Sequence, residues 1–465
     1  MSHDARTREN RTSFLCFVRY QTIRIFAGGS LLLLPTTGAC AQDSLHLSLK
    51  NAVELALESH PDIQTGLFEL HQYEIQARVA KNAMLPRVQA VAELDNALKI
   101  PIKAAPNGNG DLIYANTVAP LQASAGIQVS QPLFDLACWK GRSEALAQTQ
   151  VALQSLDQMR EATAASVVDA WCRAWVQERV VELSAERVAQ AETLETIVQA
   201  QLDAGSARES DLSRIKVQLS NLQGDLANAR RNREELVNRL NLLVGNRAGL
   251  AVVLDGVLDE AAPERGDSDR ITERSDWRLL GDQEELSKRA LERTQAMDLP
   301  VLSLKARVDE LSFAQKVGAL GGRWDADATV GLALVAPIFE GFDHRNRNAL
   351  AQLRLEDIRR KRRRVEFEAR RDLEDAWREL ATSEQILEIQ AHNLELARNT
   401  QREMEARFQA GSASLSDLLE AEGAVVEARR QQLDAIGRRF QSIMALRHAR
   451  GTLLTDLKFP TSARN

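Results

Sequence analysis

The sequence predicts a mainly α protein with a β part of the membrane-spanning kind. Three observations predict it. The chain is written twice, four segments alternate apolar and polar with period two, and the long stretches beside them carry heptad spacing without proline. The composition agrees: aromatic residues make up 5% and charged residues 27%, proportions of long helices more than of compact enzymes. The formal net charge of -6 gives no nucleic-acid footprint.

The N-terminus reads as an export signal over residues 1–41. Arg6, Arg8, Arg11, Arg19 and Arg24 precede an apolar run from Ile25 to Leu34, then Pro35 and Ala39-Cys40-Ala41. This order matches a secretory leader cleaved after Ala41, and the run is too short for a membrane anchor. Cys40 raises the alternative of a lipid anchor. Thr37 stands where lipidation wants a Leu-like residue, so ordinary cleavage is expected. Cys138 and Cys172 then remain. On one helix they lie about 50 Å apart, too far to bond.

Internal repetition sets the organisation. Asp169-Ala170-Trp171 recurs as Asp375-Ala376-Trp377, Ala204-Gly205-Ser206-Ala207 as Ala410-Gly411-Ser412-Ala413, and Pro132-Leu133-Phe134-Asp135 as Pro337-Ile338-Phe339-Glu340. The expected halves are 42–265 and 266–465, joined by a Gly-, Asp- and Arg-rich stretch near 245–270. Each half reads as a helix (about 62–82 and 276–297), two alternating segments around a polar loop, then two long helices.

The alternating segments are the expected strands. Val88, Ala90, Ala92 and Leu94 share one face of the first; Leu121, Ala123, Ala125, Ile127 and Val129 one face of the second. Leu302, Leu304, Ala306 and Val308 share a face of the third, and Ala328, Val330, Leu332, Leu334 and Ala336 a face of the fourth. Period two means one apolar side, and about 10 residues suffice for a tilted transmembrane strand. An ordinary soluble sheet is the alternative, but no free apolar layer remains to cover it. Four strands leave open edges, which lipid does not tolerate. Barrels need about eight strands or more, so copies must pool theirs, as a dimer or a trimer.

The helices run from about 140 to 204 and from about 344 to 410, on the order of 100 Å each. Ala369, Leu373, Ala376, Leu380, Ser383, Leu387, Gln390, Leu394 and Ala397 follow 4,3 spacing without a break. Leu156, Met159, Thr163, Val167, Ala170 and Ala174 do likewise. That is coiled-coil spacing. Reversals fall at Gly205 and Gly411, where glycine accepts the left-handed conformation. Ser206 with Glu209 reads as a capping box for the returning helix.

With these marks, and with Leu47-Ser48-Leu49 through Pro61, Leu85-Pro86 and Gln131-Pro132-Leu133-Phe134, the chain resembles the outer membrane efflux proteins, the TolC-like channels, over 45–457. The resemblance implies a homotrimer: a shared 12-stranded outer-membrane β-barrel, four strands per chain, on a trimeric α-barrel of coiled-coil hairpins crossing the periplasm. It implies an exit duct of a tripartite efflux or type I secretion system in a Gram-negative outer membrane, surrounded by outer-membrane lipid. A periplasmic adaptor and an inner-membrane transporter of RND or ABC type would dock at the tips, at Gly205, Ser206, Gly411 and Ser412. By position, Asp211, Asp417 and Glu420 match the gate carboxylates, which would select against anions. Where the pattern has Tyr and Arg latch residues, this chain has Phe408 and Ala413, and Arg208 is the candidate substitute cation. The plainer reading of Asp211 and Asp417 is a first-turn acid complementing the helix dipole.

Other features read as structural. The run Arg359-Arg360-Lys361-Arg362-Arg363-Arg364 has acids at helical spacing, Glu356, Asp357, Glu366 and Glu368, and reads as a solvated helix face. Trp171 and Trp377 read as packing residues. His46, His60, His71, His344, His392 and His448 are scattered, so neither a metal, a cofactor nor an enzymatic function is expected. The alternative function is a structural exported coiled-coil protein without channel activity.

Overall fold

A computed structural model describes residues 45–96, 98, 103–106, 112–115, 121–205, 208–245, 252–258, 260–266, 271–314 and 324–459. The expected leader, with Cys40, lies outside the described residues, as does Ser206. All the described residues belong to the unit Ser44–Asn465.

The protein is mainly helical with a small sheet part. A short strand β1 (Leu45–Ser48) leads into helices α1 (Leu49–Ser59) and α2 (Pro61–Asn82). Strand β2 (Arg87–Asn96) follows, then β3 (Lys103–Pro106), β4 (Leu112–Ala115) and β5 (Leu121–Phe134). Helix α3 (Leu136–Asp203) has 68 residues, and α4 (Glu209–Leu243) returns beside it. After β6 (Val252–Asp255) come α5 (Ser275–Ala296), β7 (Val301–Ala314) and β8 (Asp325–Val335). Helix α6 (Asp343–Gln409) has 67 residues, α7 (Leu415–Arg450) returns, and α8 (Leu453–Asp456) closes the order.

Two features differ from the sequence reading. The loop expected between the first two strands contains the β3–β4 hairpin. The stretch near 245–270 contains β6, which pairs in parallel with β1, Leu45 opposite Val252. Strands of four residues carry too little periodicity to be seen in sequence.

The main sheet has the order β2-β5-β7-β8, every pair antiparallel. Its register aligns the apolar residues in cross-strand rows. Val88, Val129, Ala306 and Val330 form one row, and Ala90, Ile127, Val308 and Ala328 the next. No described element covers this side; Val330 is 77% exposed and Leu334 69%. The other side carries Gln89, Gln128, Arg307 and Thr329, then Val91, Gly126, Asp309 and Asp327. Arg307 binds Asp309 and lies 3.5 Å from Glu93 on β2. Among the described residues, β2 and β8 each have one neighbour only, so both edges of the sheet are open.

The helices start where the strands end. Asp135 caps α3, accepting from the Cys138 N–H at 2.8 Å, one of the orphan donors of a helix start. The first half of α3 packs on α2 and α5: Leu156 meets Gly66, and Lys140 binds Glu292 at 2.7 Å. The second half packs on α4 and α7: Gln177 donates to the Ala229 carbonyl, and Gly437 lies against Val176 and Cys172. Cys138 and Cys172 both lie on α3 as free thiols. Burial pushes the Cys172 thiol up to about 12.

The heptad of α6 is the packed face. Ala369, Leu380, Ser383 and Leu394 are buried, and Leu373, Ala376, Leu387, Gln390 and Ala397 are half-buried. Cations of the basic run beside it are paired within and across helices. Arg360 pairs with Glu356, Lys361 with Asp357 and Arg364 with Glu368, while Arg359 and Arg362 hold Glu284 of α5. Arg362 also lies over the Trp277 ring at 4.4 Å.

The main core is a belt halfway along α3, where the last turns of α4 and α7 reach it. It joins Leu47, Val53 and Ala56 to Val167, Trp171 and Ala174 of α3, Leu240 of α4, Val252 and Leu254 of β6, and Phe440 of α7. Trp171 donates to the Leu47 carbonyl at 3.1 Å, and Trp175 to the Gly256 carbonyl at 2.9 Å. Trp171 lies about 50 Å along α3 from the sheet. Among the described residues no helix is long and apolar enough to cross a membrane.

Candidate functional site

Apart from Ser206, which lies outside the described residues, the sequence-predicted residues fall at the ends of the hairpins farthest from the sheet. Gly205 and Gly411 both adopt the left-handed conformation, φ 73° and 71°, which a side chain resists. The Gly205 N–H donates to the Leu202 carbonyl at 2.9 Å and the Gly411 N–H to Phe408 at 3.0 Å. Ser412 closes the second reversal, its N–H and hydroxyl both reaching the Arg407 carbonyl, at 2.9 and 3.1 Å.

In the first hairpin the returning helix starts two residues later than the sequence reading placed it. Helix α4 begins at Glu209, with Arg208 at the capping position and its backbone N–H donating to Asp211 at 3.3 Å. In the second hairpin Ser414 caps α7. The Ser414 N–H and hydroxyl both donate to the Asp417 carboxylate, at 2.9 and 2.8 Å, and the Asp417 N–H returns to the Ser414 oxygen at 3.2 Å. This reciprocal box satisfies two helix-start donors. The hydrogen bond from the Ser414 side chain, then that from its backbone, holds the Asp417 carboxyl below the usual range. Glu420 is exposed one turn further on.

The two tips are joined by an apolar cluster. Val198 of α3, Leu212 and Ile215 of α4 and Leu415 of α7 are buried together, with Leu194, Leu202, Phe408 and Leu419 packed around them. Phe408 therefore sits in the union of the hairpins, half-buried. A polar link lies beside it: the Arg214 guanidinium of α4 donates to the Ser416 hydroxyl of α7. Sequence reasoning named Arg208 as the cation and missed Arg214. Arg208 is exposed at the start of α4, and Arg214 is the residue that reaches the second hairpin.

Among the described residues no group of three or more His, Cys, Asp or Glu could hold a metal ion. The groups present can carry charge, pack and link two hairpins.

The chain matches the family of outer membrane efflux proteins over residues 52–246 and 286–452. No curated protein matches the sequence. Solved structures share the fold. The CusC structure superposes with a TM-score of 0.72 at 16% identity, covering 88% of this chain and 93% of that one. VceC from Vibrio cholerae gives 0.68 at 15%, covering 87% and 96%. The open-state MtrE outer membrane channel of Neisseria gonorrhoeae gives 0.70 at 19%, covering 87% and 89%.

Proposed function

Because the chain belongs to the outer membrane efflux protein family, we propose that three copies form the exit duct of a tripartite efflux or type I secretion system. Residues 42–265 and 266–465 are then two copies of one repeat. Each supplies two strands to a 12-stranded barrel in the outer membrane and one long hairpin to a hollow periplasmic cylinder. The carrying observation is the main sheet: four strands, one bare apolar side and two open edges. Because directions alternate, β2 and β8 run opposite ways. The β8 edge of one copy therefore meets the β2 edge of the next antiparallel, and closure leaves no unpaired edge in lipid.

The tips serve as the periplasmic gate and as the docking place for an adaptor, around Gly205, Ser206, Gly411 and Ser412. An inner-membrane transporter of RND or ABC type supplies the cargo. Asp211, Asp417 and Glu420, three copies of each, face the narrow opening and disfavour anions. Phe408 packs the closed state, and the Arg214–Ser416 link takes the place of the latch for which Arg208 was the first candidate.

Single-channel recording in planar bilayers tests this reading. The detergent-purified trimer gives a small, cation-selective conductance, which rises when Asp417 and Glu420 are both replaced by Ala. A water-soluble monomer without conductance would instead support the structural coiled-coil alternative.

A further inference from the structure

Above the tips the hairpins of one chain enclose a second, smaller contact. It is a cleft lined by Arg187, Gln190 and Leu194 of α3, Ile215 and Gln218 of α4, and Glu422 of α7. Glu422 is half-buried there, an unusual setting for a carboxylate, in a cleft whose lining is apolar and amide groups apart from Arg187. The charges facing it are few. Arg187 comes from α3 and Glu405 from α6. The α4 residues lining the cleft, Ile215, Gln218 and Leu222, are uncharged. Farther along α7, Glu427 is engaged by Arg430 at 2.8 and 3.0 Å and by Gln431 at 2.9 Å.

We propose that Glu422 makes the union of the two hairpins sensitive to proton concentration, so that acid holds α7 against α3 and α4 and its loss lets them part. The proposal rests on the reading of the tips as a gate. Burial pushes the Glu422 carboxyl up, the Glu405 charge adds to this, and Arg187 opposes without cancelling it. Parting the hairpins returns Glu422 to water and to its ordinary value. The packed arrangement thus binds the proton more tightly than the parted one. Packing is favoured at low pH and weakened as pH rises from the ordinary glutamate range through the raised value. Each unit of difference between the two arrangements changes the open-to-closed ratio about tenfold.

The test is single-channel recording of the full-length trimer between about pH 5 and about pH 8. The wild type opens more as pH rises. Glu422→Gln, which mimics the protonated side chain, stays closed more often at the upper end and loses the pH response. Glu405→Gln, at an exposed position, keeps the response and moves it to lower pH. A Glu422→Gln channel following the wild-type pH course would overturn the proposal and leave the duct reading intact. A wild type that forms no channel at any pH removes both.

Discussion

Asp417 has one role in the structure and a second in the proposed gate. It is exposed at the start of α7, and its carboxylate completes the Ser414 box. Held below the usual carboxylate range by Ser414, it stays ionised well into acid. Its contribution to the cap is present above the ordinary value and lost as pH falls through the lowered one. Glu420 has no part in the box. Glu420→Gln should therefore reduce cation selectivity while leaving the melting temperature unchanged. Ser414→Ala should do the reverse, costing about 1 kcal/mol at the start of α7; reversal potentials and thermal melts read the two effects. If Glu420→Gln leaves selectivity unaltered, the charge assignment at the tip fails. At this scale the glycines were legible, because few residues accept a positive φ. The Arg214–Ser416 link was not. Its partners stand 202 residues apart, and nothing local marks an arginine that reaches a second hairpin.

At the scale of elements, period decided what could be read. The α6 heptad foretold the buried and half-buried side of a helix of 67 residues, because 4,3 spacing keeps one stripe facing a neighbour. Leu380, 3% exposed, lies in that stripe. Leu380→Ala should cost about 2–5 kcal/mol, read as an earlier thermal transition. The four main strands were equally legible through their alternation, which also placed the apolar side before any register was known. Among the strands, β1, β6, β3 and β4 escaped, four residues each. Pairing across the chain, and not local pattern, makes them strands. The Ser206 cap was misplaced for a related reason: several small or polar residues near a reversal can cap, and the turn geometry chooses among them.

Among the described residues, a sheet with one naked side is carried on two paired hairpins. Two copies of one repeat are proposed from the sequence, where whole phrases recur near one spacing. The number of copies in the proposed assembly was not legible there, since open edges demand closure without counting the partners. The naked side should tolerate no charge near its middle. Val330→Arg should cost about 2–4 kcal/mol of membrane stability, seen as reduced outer-membrane yield and lost heat-modifiable migration. Full yield with unchanged migration would mean that this side does not meet lipid.

The pairing of β1 with β6 bears on how such a chain comes together. Leu45 waits for Val252, more than two hundred residues later, and Trp171 ties Leu47 into the same belt. Contacts this far apart in sequence form slowly, because a long loop must close before they return any stabilisation. A polypeptide emerging from its first residue thus holds an unmated ribbon until its first hairpin is complete. Any truncation ending before Val252 leaves that ribbon permanently single, an invitation to clumping that a holdase would have to mask.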